Sequence, residues 1–169
     1  DSTGARPENV QTTGGFWAVN ATGVNWKEYF VNNGTEEWTD YSLEMDITYV
    51  EPMSGQETWS GFGPIFRADE TNGNRKFYQL TVNSQSGPFQ LAAALDSINW
   101  YHFDALSNTP PAKNTTYHLR VECIGRILRY YMDDVLLYEA EATDPKLASF
   151  THGGIGIGFG KEKMRLFVV

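Results

Sequence analysis

Apolar residues in this chain recur at every second position over short stretches, and clusters of Gly, Asn, Asp, Ser and Pro interrupt those stretches at short intervals. A period of two marks a strand with one buried face, and helical spacing is almost absent. The pattern predicts strands over 41–50, 61–68, 76–83, 88–95, 116–124, 127–133, 135–142, 154–159 and 164–169, with weaker candidates at 15–19, 26–31 and 100–105. No sequence is left over for crossover helices, so the pairing is antiparallel, and two stacked sheets bury such strands most simply. The fold class expected is therefore all-β, a two-sheet antiparallel β-sandwich. Two hairpins follow from local chemistry: one turns through Gly125, the other through Asp133-Asp134, residues that tolerate positive φ. A single helical turn is expected at 144–149, with Asp144 as its cap and Pro145 at its first position.

At 169 residues the chain supports one full hydrophobic core, so residues 1–169 read as a single domain, either mature or cut from something longer. A net charge of -8 with no basic run argues against nucleic acid, which requires a concentrated basic face. No stretch approaches the ~18 apolar residues that span a bilayer, so no membrane partner is expected. The only cysteine, Cys123, alternates with Tyr117, Leu119 and Val121, which makes it a buried structural thiol rather than a nucleophile. Asn20, Asn33 and Asn114 lie in glycosylation sequons, usable only in a eukaryotic source.

Aromatic residues make up 14% of the chain, including five Trp, and aromatic rings stack on the apolar faces of sugar rings. Trp17 and Trp38 flank or begin strands and are expected in the core. Trp59 and Trp100 lie in polar sequence, and with Tyr101 and the adjoining His102 they are the candidate stacking platform. Sugar hydroxyls also require planar polar partners. Tyr41, Leu43, Met45, Ile47 and Tyr49 should face the core, which leaves Glu44 and Asp46 on the opposite face. Arg67, Gln79 and Asn83 are expected to project from the same sheet and complete a polar concave surface.

Glu44-Met-Asp46 also reproduces the start of the Glu-x-Asp-x-x-Glu strand of glucanases, which makes a glycoside hydrolase the alternative. Retaining hydrolysis needs two carboxyl groups ~5 Å apart. Here Tyr49 stands where the third carboxylate belongs, and Glu51 reaches the shared face only through a bulge. The chain is therefore expected to be no enzyme. His102, His118 and His152 lack helical metal-site spacing, and the Gly153–Gly158 run continues as strand rather than opening a helix. No cofactor is required. A structural calcium ion is the one candidate metal, with Asp69-Glu70-Thr-Asn72 or Asp133-Asp134 as donors.

Five motifs occur in a telling order: Trp38-Thr-Asp40-Tyr41-Ser-Leu-Glu44; Gly61-Phe-Gly63-Pro-Ile-Phe66-Arg67-Ala68; Phe77-Tyr78-Gln79-Leu80; Tyr117-His-Leu-Arg-Val-Glu122 with the Asp133 hairpin; and Phe150-Thr-His-Gly153-Gly154-Ile-Gly156. Together they resemble the concanavalin-like jelly-roll modules of secreted glycosidases, above all the family-66 carbohydrate-binding modules associated with levanases. The hairpin that usually carries Asp-Gly has Asp133-Asp134 here, and Met164–Val169 replaces the usual closing strand. The resemblance implies a secreted or cell-surface, monomeric, non-catalytic module that targets an attached glycoside hydrolase to a polysaccharide or glycan, with a terminal fructose unit as the family's ligand. A structural or protein-binding laminin-G-like domain is the third reading.

Overall fold

A computed structural model of the chain describes residues 10–13, 16–20, 27–31, 37–52, 61–69, 75–83, 89–96, 99–107, 112, 114–148, 150–160 and 162–167. Among these residues the strands are β1 (Val10–Thr13), β2 (Phe16–Asn20), β3 (Lys27–Val31), β4 (Tyr41–Pro52), β5 (Gly61–Asp69), β6 (Lys76–Asn83), β7 (Phe89–Ala94), β8 (Trp100–Ser107), β9 (Thr115–Ile124), β10 (Ile127–Met132), β11 (Val135–Glu141), β12 (Gly154–Gly160) and β13 (Glu162–Phe167). They form two antiparallel sheets, one of seven strands in the order β1-β2-β13-β4-β9-β10-β11 and one of six in the order β3-β12-β5-β6-β7-β8. The expected sandwich is present, and every predicted strand has its counterpart. β1 was not predicted, because Val-Gln-Thr-Thr carries a single apolar residue and so no period.

The core lies between the sheets. Met45 and Ile47 of β4 and Leu119, Val121 and Cys123 of β9 face Phe66, Tyr78, Leu80, Leu91 and Ala93 of the other sheet. Each buried side chain of this size contributes ~1.5–3 kcal/mol of transfer free energy. Cys123 is buried as expected, and burial pushes its thiol up to about 12. The predicted face of β4 is correct as far as Thr48: Leu43, Met45 and Ile47 point inward while Glu44 and Asp46 point out.

Turn chemistry follows the sequence. Asp133 and Asp134 take φ values of 50° and 63°, a primed turn that matches strand twist. His118 closes it from β9: its amide donates to Asp133 Oδ1 at 2.9 Å, and its carbonyl accepts from the Asp133 amide at 2.8 Å. Gly125 turns the β9–β10 hairpin at φ 54°, and its amide donates to Asp40 Oδ1 at 2.8 Å. The helical turn is a 3-10 turn at Pro145–Leu147, with Asp144 accepting from the Lys146 amide. No described helix is long and apolar enough to cross a membrane.

Arg67 departs from expectation. Instead of projecting from a polar surface it is only 1% exposed, at a bulge in β5 where its φ is 49°. Its Nη1 donates to the Phe150 carbonyl at 2.9 Å, and its Nη2 to the Thr39 carbonyl at 3.0 Å. Its own amide donates to the Tyr41 hydroxyl at 2.6 Å. A bulge redirects one side chain against the pleat, and here it turns the guanidinium onto carbonyls that no strand partner satisfies. Arg67 is thus a clamp between the start of β4 and the approach to β12.

Candidate functional site

The six-stranded sheet differs from its partner in one respect that bears on function. Residues 63–68 of β5, 77–80 of β6 and 91–94 of β7 are buried on consecutive positions, so both faces of this sheet are covered. Phe66, Tyr78 and Leu80 face the core, whereas Ile65, Ala68, Phe77 and Ala94 form a second apolar cluster on the outer face. Cross-strand register places Gly156, Ile65, Gln79, Ala92 and His102 in one row on that face. Phe77, Ala94 and Trp100 form the adjoining row. Side chains opposite one another share a face, so small residues alternate here with Ile65, Gln79 and the two rings.

Trp100 begins β8 and is 37% exposed. It meets Phe77 edge-on with centroids 5.5 Å apart, and lies nearly parallel to the His102 ring at 6.5 Å. The preceding turn is fixed by Asp96, whose carboxylate accepts from the Asn99 amide at 2.8 Å and from its side chain at 2.7 Å. Tyr101 does not join this platform. It follows Trp100 in a regular strand, so it points the opposite way, packing against the core and meeting Phe103 at 4.9 Å.

Gln79 is wholly buried, and neither atom of its side-chain amide has a hydrogen-bond partner. Above the same face, Arg75 just ahead of β6 meets Glu28 of β3 at 2.9 Å. The pair joins strands separated by β12 and β5, so it bridges the outer face. Glu28 faces outward because it pairs with Gly158, which alternates with the core residue Ile157. Nothing in sequence spacing signals this contact, which depends on the strand order.

Glu44 and Asp46 lie elsewhere. The expectation that they share a sheet with Arg67 and Gln79 is corrected by the topology, since β4 belongs to the seven-stranded sheet and β5 and β6 to the other. They project from the outer face of their own sheet, where β4 pairs Glu44 with Arg120 and Asp46 with His118. Asp46 Oδ1 is 2.7 Å from His118 Nδ1, and Glu44 Oε2 is 3.8 Å from His118 Nε2. The Asp46 hydrogen bond holds the His118 imidazole above its ordinary pKa, with Glu44 and Asp134 adding in the same direction. Arg120 stacks over the Tyr131 ring at 3.8 Å, and Arg129 bonds Glu139 at 2.6 Å. This is a solvated ladder of paired charges. At its far end the register of β4 against β13 slips by one residue between Tyr49 and Glu51, the bulge that the glucanase-like reading requires.

The other aromatic expectations divide. Trp38 is not in the core: it is 44% exposed and touches Tyr41 edge-on at 5.7 Å. It precedes β4, so the pleat does not turn it inward. Trp59, Trp26, Glu70 and Asn72 lie outside the described residues, as do the side chains of Trp17, Glu51 and Asn83. Of the residues considered as calcium donors, Asp133 and Asp134 form the exposed β10–β11 turn, where Asp133 Oδ1 accepts from the His118 amide at 2.9 Å.

The sequence matches no family model and no curated protein. Solved structures do resemble it. Carbohydrate-binding module CBM66 from Bacillus subtilis aligns at a TM-score of 0.74 and 18% identity, over 95% of this chain and 88% of that one. The exoplasmic/lumenal domain of VIP36 in its Ca2+/Man-bound form aligns at 0.63 and 11%, over 95% and 81%. An alginate lyase aligns at 0.58 and 8%, over 97% and 81%. At these identities the likeness is one of architecture, and by that measure the chain has the concanavalin-like jelly-roll fold shared by carbohydrate-binding modules, lectins and polysaccharide-cleaving enzymes.

Proposed function

We propose that this domain binds carbohydrate without cleaving it, through the outer face of the six-stranded sheet. The observation that carries the reading is that Trp100 presents an exposed ring on this face, with the exposed His102 ring nearly parallel to it at 6.5 Å. A ring for stacking beside a planar polar group is the pairing that a sugar requires. His102 flanks the ring, and Trp59 is proposed as a further platform on its sequence context alone. Fold likeness to CBM66 and to a Man-bound lumenal domain supports a glycan as ligand and a secreted or cell-surface setting. The domain serves to hold an attached glycoside hydrolase on its polysaccharide. Affinity per site is in the micromolar to millimolar range, on the order of -4 to -8 kcal/mol, because each hydroxyl gives up water for the bond that it gains.

The test is retention of the domain in affinity gels containing plant, bacterial and fungal polysaccharides, repeated with Trp100→Ala. The reading expects retardation that the folded variant loses. Retardation unchanged in Trp100→Ala, or absent from every gel, counts against it.

One observation favours a hydrolase instead: the β4 bulge between Tyr49 and Glu51, on the strand that carries Glu44 and Asp46. Release of reducing sugar, abolished in Glu44→Gln, would establish that reading.

A further inference from the structure

We infer that the ligand of this face is an extended run of consecutive sugar units lying along β8, with Trp100 and His102 as successive stacking subsites, rather than a single terminal unit. The inference rests on the carbohydrate-binding reading above and deepens it by naming the form of ligand that the face takes.

Side chains two residues apart on a strand share a face and stand about 6.5–7 Å from one another along its axis. The Trp100 and His102 centroids are 6.5 Å apart, and their planes differ by only 20°. The rings therefore follow one another along β8 in nearly one orientation, and both residues are exposed. Their surroundings hold them there. Tyr101 and Phe103 pack against the core and meet at 4.9 Å, which commits the position between them to the outer face. The buried Phe77 meets Trp100 edge-on at 5.5 Å, and the turn ahead of the strand is closed by the Leu95 amide, which donates to the Asn99 carbonyl at 2.8 Å. Across the sheet, Ala94 stands opposite Trp100 and Ala92 opposite His102. A methyl group reaches less far than a ring, so both rings rise above the strand beside them instead of facing a wall of large side chains. On its other side β8 has no strand partner among the described residues. A sugar unit offers a C–H face to an aromatic ring, and a polysaccharide repeats that face from unit to unit. One ring suffices for one unit. Two rings of like orientation in succession are both covered only by a ligand that repeats along the same axis. The imidazole adds a ring nitrogen donor and acceptor, so the second subsite can also bond a hydroxyl.

The experiment measures calorimetric binding of the whole domain to glucan-, xylan- and fructan-derived oligosaccharides of one to six units. Gel retardation by the parent polysaccharides is followed before and after limited depolymerisation, which multiplies chain ends at constant mass. Affinity is expected to rise about tenfold or more between one unit and four, and retention is expected not to increase as ends multiply. His102→Ala, checked for folding by thermal unfolding, is expected to weaken binding of the longer oligosaccharides roughly three- to tenfold and to flatten the dependence on length. His102→Tyr keeps a ring with a polar group and is expected to restore both. Equal affinity for one unit and six, or retention that grows with the number of ends, overturns the inference while leaving the carbohydrate-binding reading intact. Full affinity of His102→Ala for the longer oligosaccharides does the same, as does failure of a folded His102→Tyr to restore it. A domain that binds none of the oligosaccharides and is retained by none of the gels overturns both.

Discussion

The Arg67 guanidinium holds the Phe150 carbonyl at 2.9 Å from inside the sandwich, and the same group holds the Thr39 carbonyl, just ahead of β4, at 3.0 Å. Removing it strands two carbonyls and opens a cavity. Arg67→Ala is expected to lose roughly 3–5 kcal/mol of stability, read from the urea midpoint, because orphaned buried acceptors add to the lost packing. Arg67→Lys reaches fewer acceptors and falls between. Whatever fraction remains folded should bind glycan normally, and a folded Arg67→Lys domain with lost affinity would return Arg67 to the binding surface.

Gly153 occupies the space beside that clamp. Its φ is 139°, and a Cβ there would sit 2.5 Å from the Arg67 carbonyl carbon and 2.7 Å from the Ala68 amide nitrogen. Backbone cannot yield as a flexible side chain does. Gly153→Ala is expected to cost roughly 2–4 kcal/mol, from strain and overlap together. Gly125→Ala is the control, since Gly125 also has positive φ but nothing within 4 Å of the added carbon; it should cost about 1 kcal/mol.

His118 makes stability depend on pH. Its folded pKa is raised, chiefly by the Asp46 hydrogen bond, so its contribution is complete below the unfolded value of about 6.5 and disappears as pH rises through the folded value. Both groups are about one-third exposed, so solvent screens the effect and the change is modest. Titration of the imidazole by NMR should show the raised midpoint, and Asp46→Asn should lower it and flatten the stability profile above about pH 6.5. A midpoint unmoved in Asp46→Asn would remove Asp46 as the cause.

Cys123 should be inert in the native state, with its thiol pushed up to about 12 and fully buried. At pH 8 a thiol-reactive chromogenic disulfide should label the unfolded chain promptly and the folded chain only at the rate of opening. Rapid labelling of the native domain contradicts the packing described between the two sheets.

The fold was legible because its signals are local. Alternation in Tyr117–Ile124 and the turn chemistry of Asp133-Asp134 each depend on a few adjacent residues, and both are found where the pattern puts them. The site was only partly legible, because it depends on which strands become neighbours. Glu44 and Gln79 look equally suited to one polar face, yet strand order sends them to opposite sides of the sandwich. At Arg67 a bulge reverses the pleat, which no residue pattern announces, and Tyr101 faces away from Trp100 because consecutive residues of a strand point to opposite sides. Phe77 and Ile65 carried an unused clue: β6 and β5 read as nearly continuous apolar runs, the mark of strands covered on both faces.

The seven-stranded sheet ends at β11, where Val135 and Leu136 stand exposed. The segment from Asp133 through Glu141 bears Asp133, Asp134, Glu139 and Glu141 and no basic residue. Whether a second molecule approached this margin in the same or the opposite direction, carboxylate would meet carboxylate. Such repulsion keeps sheet margins from adhering to one another. Its strength is set by ionic strength rather than by packing, so the domain should remain dispersed in dilute buffer and begin to self-associate along β11 as added salt screens these carboxylates.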